Sequence, residues 1–507
     1  MPKKDTVVLF HPLPWEKGNK KARVPYTLLF LERNIRDLGL NIVLIDEFVD
    51  SDYESILKTY QDRLLLIGVS TMTGYQLVGA LRFSELARKI SNAPVLWGGW
   101  HPTILPEQTL ENELVDMVIL GQGEEPLRNL LIALISQSDY TNIHGLGYKK
   151  DGEIVINPRD KYKDAFTFPK LDYGLIDIRN YIYSNWYTER SIRYITTQGC
   201  PYKCGFCSMA LVYERKWFHK TVPEIVDELE YFIKVGDIDG VKFDDDNFFV
   251  NREFVMELCH EMIRRKLNLK WFTQGHASHL LKHFKEEDFY VMRESGANMI
   301  SIGAESGDQV VLDLIAKNNK VEDNIACSEM FHKVNIQSFY TVMVCFPVDP
   351  ERDFNATLNL LMEAKLIDVR FRTLLSFYTP YPGTDLYELA LKNGYNPPQS
   401  LTEWSVHTFK QVRMPWVDPK FYRKAWRFID FYLPMADPYL YKKASKPMRP
   451  LVFLLRLMFY DLVRWRFKHK NLRFPIEANV VLFTIRMTNK LLGTNLKLRI
   501  SKEGFFD

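Results

Sequence analysis

The chain has 507 residues, 46% hydrophobic and 25% charged, the proportions of an ordinary globular protein long enough for two to four domains with their own cores. Six cysteines in that length are far too few for a disulfide framework, and no uncharged apolar run approaches the ~20 residues of a membrane-spanning helix. The net charge of +3 conceals an asymmetry: Leu391 to Asp507 holds 22 Lys and Arg against 8 Asp and Glu, a net of +14, so the preceding residues carry −11.

Met1-Pro2-Lys3-Lys4-Asp5 leads straight into the apolar run Thr6 to Phe10, too short for a secretory core, and a reducing, cytoplasmic setting is expected. Val7 to Phe10 reads as a buried strand, and Tyr26 to Leu38 as a helix that Gly39 stops. Strands follow at Asn41 to Ile45, Leu64 to Val69, Pro94 to Trp97 and Val115 to Leu120, with a helix over Gln76 to Ile90. The later strands open onto Ser70-Thr71, Gly98-Gly99-Trp100-His101-Pro102 and Gly121-Gln122-Gly123-Glu124. This alternation predicts an α/β fold, a doubly wound parallel sheet with ligand-binding turns at the strand C-termini. Glycines at such turns are common, and no GxGxxG follows a strand, which disfavours a dinucleotide site.

Residues 151–190 are polar and aromatic, interrupted by Pro158 and Pro169, and read as a connector. A strand over Tyr194 to Thr197 then delivers Cys200-Pro201-Tyr202-Lys203-Cys204-Gly205-Phe206-Cys207. Three thiolates at this CxxxCxxC spacing suit three irons of a cubane [4Fe-4S] cluster and leave the fourth iron open. A zinc site would need four closed ligands, whereas Cys259, Cys327 and Cys345 are scattered singly and are expected to be buried structural thiols.

Five further strands are expected, each meeting a polar turn. Gly240 to Phe243 meets Asp244-Asp245-Asp246-Asn247, Lys270 to Thr273 meets Gln274-Gly275-His276, and Met299 to Ile302 meets Gly303-Ala304-Glu305-Ser306. Tyr340 to Cys345 meets Phe346-Pro347, and Thr373 to Phe377 meets Tyr378 to Thr384. With the cluster strand these make six units, a partial (β/α)6 barrel with its polar residues at the strand C-termini. Asp244 to Asp246 also suit a solvated turn or a divalent cation, and Pro382-Gly383 suits a simple turn.

Beyond Tyr387 the barrel pattern stops, and three helical stretches remain, near Phe421 to Tyr432, Leu451 to Lys468 and Ile476 to Leu492. The middle one begins apolar and ends crowded with Arg464, Arg466, Lys468 and Lys470, interrupted by Arg456 and Asp461. A helix docked on the barrel and an interfacial helix drawn to anionic lipid both accommodate it. No nucleic-acid-binding motif is present, and no nucleic acid partner is expected.

The cysteine spacing, with Phe206 before the last thiol, resembles the radical S-adenosylmethionine (radical SAM) family. The ordered turns after the third, fourth and fifth strands resemble the cobalamin-binding domain that precedes many radical SAM domains. Residues 5–390 together are similar to the group holding class B methyltransferases and the anaerobic magnesium-protoporphyrin ester cyclase. The resemblance implies residues 1–150 as the cobalamin-binding domain and 191–390 as the radical SAM barrel, joined by the connector 151–190; residues 391–507, which match no motif, are expected to form a basic, mainly helical domain. It implies Cys200, Cys204 and Cys207 as cluster ligands, and Phe206, Asp245, Asp246, Glu305 and Ser306 as contacts of S-adenosylmethionine. Ser70, Thr71, Gly98, Gly99, Gly121, Gly123 and Glu124 fall where that domain contacts cobalamin. The Asp-x-His-x-x-Gly pattern of methionine synthase-type domains is missing after Asp46, so no histidine ligand to cobalt is assigned and the lower axial face is expected open or water-bound. His101 reads as a structural or corrin-edge residue.

The implied chemistry is reductive cleavage of S-adenosylmethionine to a 5′-deoxyadenosyl radical, hydrogen abstraction from an unactivated carbon, and methyl transfer from methylcobalamin. No protein side chain is needed as a catalytic nucleophile. Radical cyclisation or rearrangement without methyl transfer stays open, and so does a non-catalytic cobalamin sensor, against which the intact cysteine trio argues. The partners implied are a small-molecule substrate, with a lipid, isoprenoid or tetrapyrrole hinted at by the basic tail, and a flavodoxin- or ferredoxin-like electron donor. Peripheral contact with the inner face of a membrane is a further expectation for that tail.

Overall fold

The structure is a computed structural model describing residues 4–13, 23–185, 187–408, 414–437 and 449–492. Parts of the basic tail, residues 409–413, 438–448 and 493–507, lie outside the described residues. The chain divides into two compact units, one of residues 1–250, 379–391 and 396–412, the other of 251–378, 392–395 and 413–507.

The first unit opens with seven strands: β1 (Thr6–His11), β2 (Asn41–Asp46), β3 (Leu64–Thr71), β4 (Val95–Gly99), β5 (Met117–Ile119), β6 (Leu146–Lys150) and β7 (Glu153–Ile156). Their order is β2-β1-β3-β4-β5-β6-β7, with β1 to β5 parallel. Alternation along β1 sends Val7 and Leu9 into one core and Val8 and Phe10 into the other, where Phe10 stacks on Phe83 with ring centroids 3.7 Å apart. Both faces are covered, which is why these strands read as unbroken apolar runs.

Three local expectations are corrected. The sheet is not wholly parallel, because β6 and β7 form an antiparallel hairpin on its edge and carry the connector's start into the sheet. The signal was present: Asp151 and Gly152 both take positive φ, 50° and 87°, the turn that an Asp-Gly pair favours between twisted strands. The first helix covers only Tyr26–Glu32, and a 3-10 turn, Arg36–Leu38, follows as the amides of Asn34 and Ile35 bond three residues back. The third concerns the cluster strand. The chain pairs as β8 (Ser191–Tyr194), breaks, and resumes as β9 (Thr197–Gly199), antiparallel to β10 (Trp217–His219). Asp245 captures the amides of Thr196 and Thr197 and thereby takes them out of the barrel ladder.

The barrel strands are shared between the units. In the first, β8 pairs in parallel with β11 (Gly240–Phe243). In the second, β12 (Lys270–Gly275), β13 (Ala297–Glu305), β14 (Gln337–Val344) and β15 (Arg372–Phe377) run parallel in sequence order. Their helices begin on polar caps: Asn251 accepts from the Phe254 amide, and Asp349 from the Arg352 amide ahead of Pro350. Six parallel strands, each followed by helix and the last by Asp385–Lys392, make the expected partial barrel. Cys259, Cys327 and Cys345 are buried, as structural thiols should be.

The tail helices in the second unit, Pro419–Arg427, Arg449–Lys468 and Ile476–Leu492, pack inward on aromatic contacts such as Phe354 on Phe421 and Phe428 on Phe467. Arg466 locks the turn between the last two, donating to the carbonyls of Asn471, Arg473 and Phe474 and to the Glu477 carboxylate. Among the described residues no helix is long and apolar enough to cross a membrane.

Candidate active site

In a sheet ordered 2-1-3-4-5 the helices that follow β1 and β3 pack on opposite faces, and a crevice opens beyond the C-terminal ends of those two neighbouring strands. A cavity of about 400 Å³ lies there, lined by Leu9 to His11 from β1 and Gly68 to Thr71 from β3. Ser70, Thr71, Gly98, Gly99, Gly121, Gly123 and Glu124 all line it. A Cβ built on Gly98 would meet nothing within 4 Å, so the wall there is bare backbone open to close approach by a ligand. Gly99, at φ +97°, has the opposite constraint, since its Cβ would stand 2.5 Å from the Thr71 carbonyl oxygen. The Thr71 hydroxyl donates across to the Gly98 carbonyl at 3.2 Å and is used within the sheet.

Two groups escaped sequence reasoning. Thr103 donates to the Gly99 carbonyl at 2.6 Å and accepts from the Gly121 amide at 2.9 Å, tying the two glycine turns together. His11, the last residue of β1, lines the cavity with its Nδ1 3.4 Å from Asp46 on the neighbouring strand end. Only the parallel pairing of His11 with Asp46 brings them together, and no motif spacing reveals it. His101 turns away from the cavity into the core, where Nδ1 meets the Thr73 hydroxyl at 3.0 Å and burial pushes its pKa down to about 4.

The other wall holds the residues on either side of the cysteine loop, Thr197 and Gln198 before it and Met209 after it. Asp245 is buried and accepts from the amides of Thr196 and Thr197 at 2.7 and 2.9 Å and from the Thr196 hydroxyl. Burial nonetheless pushes its pKa up to about 7. Asp246 accepts from the Gly199 amide at 2.9 Å, lines the cavity, and is raised to about 6 by burial. Gly199 sits at φ +86°, and a Cβ there would lie 2.2 Å from the Lys216 carbonyl oxygen, so the turn into Cys200 admits only glycine. Beyond it, the Cys207 amide donates to the Cys204 carbonyl at 3.0 Å and the Asn247 amide nitrogen stands 3.8 Å from the Cys200 sulfur. The Leu386 amide donates to the Gly205 carbonyl at 2.8 Å, so the stretch after β15 braces this loop, on which Phe206 is half-buried.

Asp244, the first of the consecutive carboxylates, also lines the cavity but is committed to an ion pair. Burial alone would raise its pKa, but Arg193, Lys242 and Arg23 hold it well below the usual range, and both Arg193 bonds are 2.6 Å. Arg33 and Glu124 form a second buried pair at 3.3 Å, and Arg33 also donates to the Ala165 carbonyl at 2.6 Å. The polar turns of this unit are therefore anchored by ion pairs across elements far apart in the chain.

In the second unit, Glu305 ends β13 at φ +57°, a strained setting for a residue with a Cβ, beside a register shift in the β13–β14 ladder. Its carboxylate pairs with Lys317 at 2.9 Å. The Ser306 hydroxyl donates to Asp353 at 2.5 Å and accepts from the Asp308 amide at 2.9 Å. Cys345 is also at positive φ, 73°, just past β14, and its carbonyl accepts from the Trp416 indole at 3.1 Å. Backbone strain thus gathers at the C-terminal ends of barrel strands.

The donor set fits its implied cofactors. Among the described residues no three Cys, His, Asp or Glu side chains converge as a single metal ion would require. A cubane asks less of the thiolates, because each binds a different iron. Gly98 leaves the bare wall that a close-fitting ligand needs, and the cavity is of a size for one arm of a large cofactor.

Residues 24–131 match the B12 binding domain family and residues 194–361 the Radical SAM superfamily. A Pyrococcus horikoshii protein named as an uncharacterised methyltransferase is 26% identical over 378 residues, spanning 73% of this chain and 79% of that one. The anaerobic magnesium-protoporphyrin IX monomethyl ester cyclase of Synechocystis is 23% identical over 387 residues, 75% of each chain. The solved structure of the cobalamin-dependent S-adenosylmethionine radical enzyme OxsB, with aqua-cobalamin and S-adenosylmethionine bound, superposes with a TM-score of 0.71. It covers 98% of this chain and 77% of that one at 16% identity, a likeness of fold. With both domains in order, this chain is a radical SAM enzyme with an N-terminal cobalamin-binding domain, and its cofactors are a [4Fe-4S] cluster, S-adenosylmethionine and cobalamin.

Proposed function

We propose that this enzyme transfers a methyl group to an unactivated carbon of a small molecule. One observation carries the reading: a single cavity is walled on one side by Ser70, Gly98 and Gly99, and on the other by Asp246, whose carboxylate holds the strand that runs into Cys200. We place the two halves of the cofactor apparatus on these two walls. When bound, the cluster and S-adenosylmethionine supply hydrogen abstraction from carbon, and cobalamin carries the methyl group.

The chain's own residues divide the labour. Cys200, Cys204 and Cys207 would hold the cluster as thiolates, and Gly199 gives the strand the turn that presents them. Asp246 would accept from the ammonium of S-adenosylmethionine, while Asp245 positions β9 through three bonds. Phe206 would lie near the adenine, and Glu305 and Ser306 would serve the cofactor's polar ends. Ser70, Thr71, Gly98, Gly99, Gly121, Gly123 and Glu124 would cradle cobalamin. Trp100, Met209, Val212 and Tyr213 give the cavity an apolar wall that excludes water from reactive carbon. We place the domain limits near residues 150, 190 and 390, an external one-electron donor as partner, and the basic tail at an anionic membrane.

The test is an anaerobic incubation of cluster- and cobalamin-loaded enzyme with methyl-labelled S-adenosylmethionine and an extract of small molecules. Label in a product supports methyl transfer. Deoxyadenosine release without label transfer points instead to cyclisation or rearrangement, the chemistry named for the Synechocystis relative. Neither signal from loaded enzyme given its substrate would overturn both.

A further inference from the structure

The last two helices have one face that the fold leaves uncovered. In Arg449–Lys468, Val452, Val463, Arg466 and Phe467 are buried. On the opposite side Leu454, Leu457, Met458, Leu462 and Trp465 recur at helical spacing and stand 39–61% exposed. In Ile476–Leu492 the pattern repeats with Ile476, Val480, Phe483 and Met487 at 39–69%, and Phe474 in the joining turn is 82% exposed. A helix facing water places polar residues there, so two apolar stripes in succession mark an interaction surface.

The charge says what covers it. Residues 449–492 carry nine Lys and Arg against Asp461 and Glu477, and Glu477 is buried against Arg466. Apolar stripes flanked by cations match a bilayer interface, where acyl chains and headgroup phosphates lie within a side chain's length of each other. Trp465 beside Arg464 suits that boundary, and neither helix is apolar enough to cross it. We infer that these two helices form an amphipathic hairpin that lies in the surface of an anionic membrane, with Leu457, Met458 and Phe483 inserted. The inference rests on the peripheral membrane contact proposed above and names the surface that makes it. Arg466, by capping the turn, holds the hairpin in one shape before it binds.

The test is flotation of the full-length, cofactor-loaded enzyme with vesicles of phosphatidylcholine alone or mixed with phosphatidylglycerol. Binding is expected to the mixed vesicles and to weaken with salt. The double substitution Leu457→Glu/Phe483→Glu should lower partitioning by more than about tenfold. Arg464→Gln and Lys468→Gln should each lower it on the order of fivefold. Retained cluster absorbance and cobalamin binding check that the variants fold. If wild type binds neither vesicle, the membrane contact itself falls, and this inference with it. If wild type binds and the Glu double variant binds equally, the contact stands but these stripes are not its surface. If wild type is a dimer that the double variant converts to monomer without changing vesicle binding, a second copy covers the stripes and the inference is overturned.

Discussion

The amide of Gly199 donates to Oδ2 of Asp246 at 2.9 Å, so a carboxylate that lines the cavity also steadies the residue ahead of Cys200, the first thiol of the three-cysteine loop. The two duties separate by substitution. Asp246→Asn keeps an acceptor for Gly199 but removes the charge, and affinity for S-adenosylmethionine should fall by about tenfold or more with iron content unchanged. Asp246→Ala should lose both. Equilibrium dialysis with iron and sulfide analysis reads the two effects independently.

Burial raises Asp246 to about 6. Its folded pKa exceeds the unfolded value near 3.9, so the folded state binds the extra proton between them. Stability from this group is complete at low pH and declines as pH rises from about 4 through 6. Binding of an ammonium has the opposite sign, because it needs the ionised carboxylate. Affinity for S-adenosylmethionine should therefore climb between about pH 5 and 7 and level off above, and Asp246→Asn should flatten the climb. Titration calorimetry at several pH values decides it; a flat wild-type profile removes Asp246 from the site.

Two adjacent glycines offer a matched contrast. Gly98→Val puts a side chain into open cavity space and should weaken cobalamin binding while leaving the melting temperature nearly unchanged. Gly99→Ala meets the Thr71 carbonyl oxygen at 2.5 Å from a backbone at φ +97°, and should destabilise the fold by about 1–3 kcal/mol. Spectrophotometric titration with hydroxocobalamin beside thermal melts tests the pair.

Gly199→Ala should leave a folded N-terminal sheet but displace the cluster loop, since no neighbouring side chain can yield: the obstruction is the Lys216 backbone carbonyl. Reconstitution with iron and sulfide is expected to give well under half the wild-type cluster absorbance.

Arg193→Met removes the bidentate partner of Asp244 and leaves the carboxylate to Lys242 at 3.0 Å. Breaking a buried pair from one side should cost about 3 kcal/mol in denaturant unfolding. Replacing Arg193 and Asp244 together by Met and Leu should recover part of that loss.

Much of the site was legible from local chemistry. Cysteine spacing, glycines at strand ends and the period of the apolar residues are properties of short stretches, so the three-cysteine loop, the glycine turns that line the cavity and the strand–helix alternation could all be read in order. The Asp151-Gly152 hairpin belonged to the same class and was legible too. The split of β8 from β9 was not, because it follows from a carboxylate about 50 residues away taking two backbone amides.

Asp244, Asp245 and Asp246 are indistinguishable in the chain, yet Asp244 neutralises a guanidinium at the cavity edge, Asp245 pins a strand away from the cavity, and Asp246 lines the cavity while holding the Gly199 amide. Backbone direction at the end of β11 and the partners folding brings near them decide which is which. The sequence by itself determined the ligand types, their spacing and the net charge of the tail, because those need only the order of residues. Tertiary structure alone decided which of the three carboxylates line the cavity, that His11 meets Asp46, and which face of the tail helices stays bare, because each depends on what packs against it from far along the chain.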